Sequence, residues 1–318
     1  MVQKIWEQIL DDKDTRQNLS KLREAIKDYR NREICGTLAG ESELVLENLL
    51  EAGEDLKVEA TKDIEQKALN ELNRYAYLNA SSGESAISKN YLDFMISLPW
   101  SKEGTDNKDI KVAKDQLDSD HYGLDTVKDR ILEYLAVSIM TQKTPQAILC
   151  LVGPPGVCKT SLAMGIADSL KKEFYKISVG GLNDSSELNG HRRTYIGSSP
   201  GKIIQALKKC GTSNPLILID EIDKMVKDHK GDPASVLLDI LDPEQNDMFI
   251  DNYVEEPFDL SEVMFILTAN YEEDIPDALY DRLEIIELSS YTIYEKINIA
   301  EHHLIPNLLD DYKVKNIK

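Results

Sequence analysis

Eight consecutive residues have the composition of a backbone cradle for phosphate: Gly153, Pro154, Pro155, Gly156, Val157, Cys158, Lys159 and Thr160. The pattern Gly, four residues, Gly-Lys-Ser/Thr between a strand and a helix binds nucleotide phosphates. Successive amides and a helix N-terminus form the anion site. Lys159 is placed for the β- and γ-phosphates of a nucleoside triphosphate, and the Thr160 hydroxyl for Mg²⁺. Position 158 departs from the pattern, with Cys where Gly is asked for. A Cβ there crowds the phosphate or opposes a backbone angle that Gly reaches readily. Two readings follow from the residues. Either the loop retains phosphate affinity, or Cys158 has removed it.

A second acidic element lies about 60 residues on. Leu216-Ile217-Leu218-Ile219 runs into Asp220-Glu221. Carboxylates at the C-terminal end of a parallel strand face the ligand crevice of open α/β sheets. Asp220 is suited to a Mg²⁺ water shell and Glu221 to orienting or deprotonating an attacking water. Val263 to Asn270 repeats the pattern, and Asn270 is placed to polarise the same water. Taken alone, Asn270 is an ordinary strand-end cap. Arg282 is of the type that stabilises phosphoryl-transfer charge. Taken alone, it is a solvated or salt-bridged side chain.

The elements that must position these residues are legible as well. Continuous apolar runs at 147–152, 216–219, 263–267 and 284–288, with another at 174–179, read as strands covered on both faces. Helical segments separate them at 161–170, 202–209 and 233–241, and Val127 to Met140 is a helix. This alternation predicts an α/β domain with a mainly parallel sheet. Residues 1 to about 100 read as polar helices, with apolar stripes at Leu22, Ile26 and Tyr29 and at Ile64, Ala68, Leu72 and Tyr75. A loop at 36–40 separates two of them, and the segment is a helical arm or a partner-binding surface. Residues 102–110 read as a charged linker.

Composition excludes several classes. The chain has 318 residues, 37 Lys plus Arg and 57 Asp plus Glu, a net charge of −20. So acidic a chain repels phosphate backbones and anionic membrane, which argues against nucleic acid and membrane as partners. No run suits a membrane span or a secretory signal. Four cysteines without CxxC spacing favour a reducing cytoplasm and no structural zinc.

Longer stretches carry a family resemblance. They are Asn90 to Ser101, Asp120-His121-Tyr122-Gly123-Leu124, Arg130 to Val137, Gly190 to Gly197, Asp220 to Met225, Gly231 to Ser235 and Leu241 to Asn246. Through them the chain resembles the ATPase module of the Lon proteases, ATP-dependent AAA+ enzymes, strongly over about 85–310 and weakly before that. The resemblance implies an AAA+ P-loop NTPase fold: a mainly parallel five-stranded sheet between helices over 102–290, a helical segment over 1–101, and the start of an α-helical lid over 291–318. It implies ATP and Mg²⁺ as cofactors, a homo-oligomeric ring (a hexamer in the family) and unfolded or damaged protein substrates. Asn270 would be a sensor, and Arg282 a finger entering the neighbouring subunit's site. Tyr122 would belong to the adenine pocket, and Tyr195 and Ile196 to a pore loop that grips substrate. A buried turn is the other reading of Tyr195 and Ile196. Asn183 and Asn189 replace the family's usual Arg. No Ser-Lys peptidase pair is found, so peptide cleavage is not expected of this chain. The alternative to a motor is a nucleotide-impaired oligomerisation or regulatory partner.

Overall fold

The structure, a computed structural model, describes residues 60–78, 83–100, 102–141, 147–182, 184–193, 197–225 and 232–313. The expectations for Leu22, Ile26, Tyr29, the 36–40 loop, Asn183, Tyr195, Ile196 and Gly231 lie outside these residues. The chain divides into two compact units, Met1–Ser101 and Lys102–Lys318.

The first unit contains two described helices, α1 (Ala60–Tyr77) and α2 (Gly83–Ile96). The periodic positions Ile64, Ala68, Leu72 and Tyr75 are all buried. Ala68, Leu72 and Tyr75 pack with Leu92 of α2, and Ile96 closes the cluster. Spacing of three to four residues makes this one helix face. Ser88 donates to Glu71 at 2.7 Å beside it.

The second unit alternates helices and strands. In order come α3 (Ile110–Asp120), α4 (Asp125–Thr141), β1 (Ile148–Val152), α5 (Lys159–Leu170), β2 (Phe174–Ser178), α6 (Ser186–Asn189), α7 (Lys202–Cys210) and β3 (Leu216–Asp220). Then follow α8 (Pro233–Leu241), the short pair β4 (Phe249–Ile250) and β5 (Pro257–Phe258), β6 (Met264–Ala269), α9 (Asp277–Tyr280), β7 (Leu283–Glu287), α10 (Ile293–Ile299) and α11 (Ile305–Asp311). Five strands form one sheet in the order β2-β3-β6-β1-β7, and every neighbouring pair is parallel. Parallel neighbours need long crossovers, which the helices supply. All five residues of β1 and all six of β6 are buried, as a sheet covered on both faces requires. On one face Leu149, Leu151, Leu218, Ile266 and Ile286 meet Leu117 of α3, Ile131 of α4 and Leu162 and Ile166 of α5. Each such apolar side chain removed from water contributes roughly 1.5–3 kcal/mol. Among the described residues no helix is long and apolar enough to cross a membrane.

Element ends differ from the sequence reading by one or two residues, as at β6, which runs from Met264 to Ala269, and larger differences occur toward the C-terminus. β7 begins at Leu283, one residue earlier, so its ladder with β1 starts at the Ile148–Leu283 pair. The start of the lid expected over 291–318 is not one continuous helix. It starts at a capping box, where Thr292 and Glu295 bond reciprocally, but a π-helical turn, Ala300–Leu304, separates α10 from α11. Pro306 explains the break. It has no N–H for the His302 carbonyl, and its ring crowds that carbonyl, so the preceding turn widens.

Asp251 is a buried fastener of the second unit. It is fully buried, and its carboxylate accepts from the amides of Gly201 (2.7 Å), Tyr253 (2.8 Å) and Val254 (3.1 Å). Burial nevertheless pushes its carboxyl up to about 6, against those three hydrogen bonds.

Candidate functional site

The loop 153–158 joins the C-terminal end of β1 to α5. Gly153 is required by space. Its amide donates to Ala269 O at 3.1 Å, and a Cβ on it would lie 2.4 Å from Leu288 O. Gly156 is required by conformation, with φ +85°. Cys158 also stands in the left-handed region, with φ 66° and ψ 25°. An L side chain there is strained by about 1–2 kcal/mol. The backbone angle anticipated from the sequence is therefore present, and it is a Cys that adopts it. The Cys158 side chain lies beside Tyr291. The Tyr291 phenol is pushed up by burial and then by that thiol.

A cavity of about 430 Å³ opens over the loop, lined by residues 155–161 together with Asp220, Glu221 and Asn270. Three elements far apart in sequence thus meet at the C-terminal ends of β1, β3 and β6, where open α/β sheets bind ligands. Lys159 Nζ reaches across it, donating to Gly153 O, to Pro154 O at 3.1 Å and to Asn270 Oδ1 at 2.9 Å. Partial burial lowers the pKa of this ammonium, and the carboxylates of Asp220 and Asp223 oppose the shift. The first amides of α5 have no partner inside the helix, because no residue precedes them in the ladder.

Asp220 and Glu221 end β3 in different conformations. Asp220 Oδ2 lies 2.5 Å from Lys176 Nζ of β2, and Oδ1 accepts from Thr268 Oγ1. Burial alone would raise this carboxyl, but the bonds from Lys176 and Thr268 outweigh it and hold it below the usual carboxylate range. Glu221 is left-handed, with φ 66°. Its amide donates to Thr268 Oγ1 at 3.2 Å, and its carboxylate pairs with Lys224. Gly180 makes room for it, since a Cβ at 180 would sit 2.4 Å from Glu221 Oε2.

Two predicted residues stand apart from the cavity. Arg282 precedes β7, and its carbonyl accepts from Ile148 N at 2.9 Å. It therefore lies at the opposite end of the parallel strands from the 153–160 loop. Its guanidinium pairs with Asp242 at 3.0 Å and is 38% exposed. Tyr122 lies half-buried in the bend between α3 and α4, where Gly123 and Leu124 are both left-handed. It does not line the cavity, but its neighbour His121 bonds Ser161 at 3.1 Å and so ties that bend to α5. Lys128 fixes the same bend by donating to His121 O at 2.7 Å. Asn189 ends α6, and its carbonyl accepts from Asn252 N at 2.7 Å.

Sequence reasoning missed Thr268, Lys176, Lys224, Gly180 and Tyr291. Thr268 was visible only as part of a strand end. Its contact with Asp220 follows from the register of β3 against β6, in which Ile219 is paired with Leu267. Lys176 follows likewise from the β2–β3 register, which no local pattern in the sequence specifies.

The residues fit a nucleotide with its metal. A glycine-dependent loop, a lysine and a helix N-terminus suit phosphate, while one hydroxyl and one carboxylate suit Mg²⁺, which keeps most of its waters.

Comparison with known proteins agrees with this geometry. Residues 149–291 match the family model "ATPase family associated with various cellular activities (AAA)". The chain is 53% identical over 262 residues to the Lon protease of Ureaplasma parvum, which is 82% of this chain and 33% of that protein. It is 50% identical over 276 residues to Lon protease 1 of Bacillus subtilis, 87% of this chain and 35% of the other. Among solved structures a likeness is found to the Thermotoga maritima RuvB Holliday junction branch migration motor, with TM-score 0.40 and 21% identity over 59% of this chain and 52% of that one. The chain spans about a third of the length of the curated relatives it matches. It is a homologue of the Lon proteases and carries an AAA ATPase domain.

Proposed function

We propose that the chain is the ATP-binding and ATP-hydrolysing motor module of a Lon-like ATP-dependent protease. The observation that carries this is the convergence of Lys159, Asp220, Glu221 and Asn270 with the 153–160 loop on one cavity. ATP would lie over the loop, with its phosphates on the first amides of α5. Lys159 would exchange its bonds to Gly153 O and Pro154 O for phosphate oxygens. Thr160 and Asp220 would hold Mg²⁺, which neutralises phosphate charge during transfer. Glu221 would orient the attacking water and accept its proton, and Asn270 would fix that water from the neighbouring strand. These groups act by position and charge rather than by covalent chemistry.

Arg282 would act in trans. Its place at the far end of the strands keeps it from its own cavity, so a head-to-tail ring, a hexamer, would bring it to a neighbour's γ-phosphate. Tyr122 would close the adenine side through the His121–Ser161 bond. Residues 1–101 would form the preceding helical segment, 102–290 the ATPase core and 291–318 the start of the lid. Tyr195 and Ile196 would grip an unfolded or damaged protein chain, and hydrolysis would drive its unfolding and translocation in the cytoplasm.

Cys158 favours a second reading, a regulatory or oligomerisation partner without nucleotide. Its strained backbone and its Cβ at the phosphate loop both oppose close approach of phosphate. Calorimetric titration of Mg-ATP into the wild type, Cys158→Gly and Lys159→Ala separates the readings. The motor reading expects wild type and Cys158→Gly to bind and Lys159→Ala to lose at least tenfold. Binding by Cys158→Gly alone would establish the partner reading.

A further inference from the structure

The two oxygens of Asp220 are held by partners of unequal freedom. Oδ1 is held by Thr268, a side chain with no exposed surface that also receives the Glu221 amide. Releasing it would break a buried network. Oδ2 is held by Lys176, whose side chain is 41% exposed against 14% for Asp220. Lys176 stands on β2 opposite Leu218, two positions before the Ser178–Asp220 pair. That register puts Lys176 and Asp220 on one sheet face along a diagonal, within reach of a long side chain. An ammonium at this exposure can leave for water at little cost. A cation approaching Asp220 therefore finds Oδ2 releasable and Oδ1 committed.

We propose that Lys176 is an internal competitor of the divalent metal. Its ammonium occupies the Asp220 oxygen that a hydrated Mg²⁺ would use, and so sets the Mg²⁺ concentration at which metal and nucleotide bind together. The inference rests on the nucleotide-site reading above and deepens it. Lys176 is a positioning residue. It touches the carboxylate and displaces or yields to the ion, and no bond is made or broken on it. The sign of its effect separates this role from a structural one. A lysine that merely braced Asp220 would, when removed, weaken the metal site. A competitor, when removed, strengthens it.

The experiment is calorimetric titration of ADP at graded free Mg²⁺ for wild type, Lys176→Met and Lys176→Arg, with EDTA-treated samples beside them. Mn²⁺ paramagnetic resonance on the same proteins gives a readout of the metal itself. Lys176→Met is expected to lower the half-saturating Mg²⁺ concentration about two- to fivefold, the range a partly exposed ion pair carries. Lys176→Arg is expected to keep the wild-type value, and all three to bind ADP alike in EDTA. An unchanged or raised Mg²⁺ requirement in Lys176→Met, with ADP binding intact, overturns this inference alone. Failure of the wild type to bind ADP at any Mg²⁺ concentration overturns the nucleotide-site reading and this one with it. If Lys176→Met loses its cooperative melting transition, Lys176→Gln carries the same comparison.

Discussion

Cys158 and Tyr291 lie side by side, which sets the 153–158 loop against the segment between β7 and α10. The loop's one departure from its family pattern thus also touches the segment that leads into α10. Replacing Cys158 by Gly removes a strain of about 1–2 kcal/mol and the side-chain contact with Tyr291, while adding unfolded-chain freedom. We expect Cys158→Gly to melt within a few degrees of the wild type and to bind Mg-ATP at least as tightly.

Gly180→Ala is expected to act on hydrolysis and not on binding. The added Cβ displaces the Glu221 carboxylate, which it would approach at 2.4 Å, while the phosphate loop is untouched. Turnover should fall about tenfold or more, a fraction of the 10²–10⁴ that a positioned base supplies. The ATP dissociation constant should stay within about threefold. Steady-state hydrolysis beside calorimetry checks both halves.

If Arg282 acts in trans as proposed, Arg282→Ala is expected to lose turnover by about 10³-fold, the contribution of an arginine finger, with nucleotide affinity preserved. Glu221→Gln should lose turnover too. Mixing the two inactive proteins should restore part of it, because a mixed ring of the proposed kind would contain sites with an intact Glu221 facing an intact Arg282. Absence of recovery in assembled mixed rings would count against action in trans.

Asp251 gives the fold a pH signature. Its folded carboxyl titrates at about 6, above the ordinary value of 3.8, so the folded state holds a proton that the unfolded chain releases first. The stability associated with it is fully present below the unfolded value. It declines as pH rises toward 6 and is flat beyond. Two units correspond to roughly 3 kcal/mol. Asp251→Asn has no such titration. The stability of the wild type minus that of Asp251→Asn, from urea melts, should drop by a few kcal/mol between pH 4 and pH 7.

Much of the site was legible because phosphate chemistry leaves local marks. Gly153, Lys159 and Thr160 stand in one loop, and Asp220 and Glu221 end an apolar run that only a strand buried on both faces explains. What escaped was relational. Thr268 and Lys176 acquire meaning only from the order β2-β3-β6-β1-β7, which no short stretch of sequence encodes. Gly180 and Tyr291 matter through single contacts with Glu221 and Cys158, and nothing in their own neighbourhoods announces the partner. In the fold, the five strands of the parallel sheet were legible within a residue or two because their apolar runs are bounded by polar ones, whereas the two-residue strands β4 and β5 left no such run. The interruption before α11 was hidden by continuous helical periodicity, which registers side chains but not the missing amide of Pro306.

Gly153 is seated between the ends of two strands, its amide on Ala269 of β6 and its α-carbon against Leu288 just beyond β7. The base of the loop therefore has no freedom of its own, and compliance is confined to the stretch that ends at Cys158. Side-chain contacts that bypass the sheet lead from that stretch through Cys158 to Tyr291, ahead of α10, and through Ser161 to His121 in the bend before α4. The loop behaves as a cantilever clamped at Gly153 and loaded near Cys158, and the residue at 158 sets how stiffly that load is passed on.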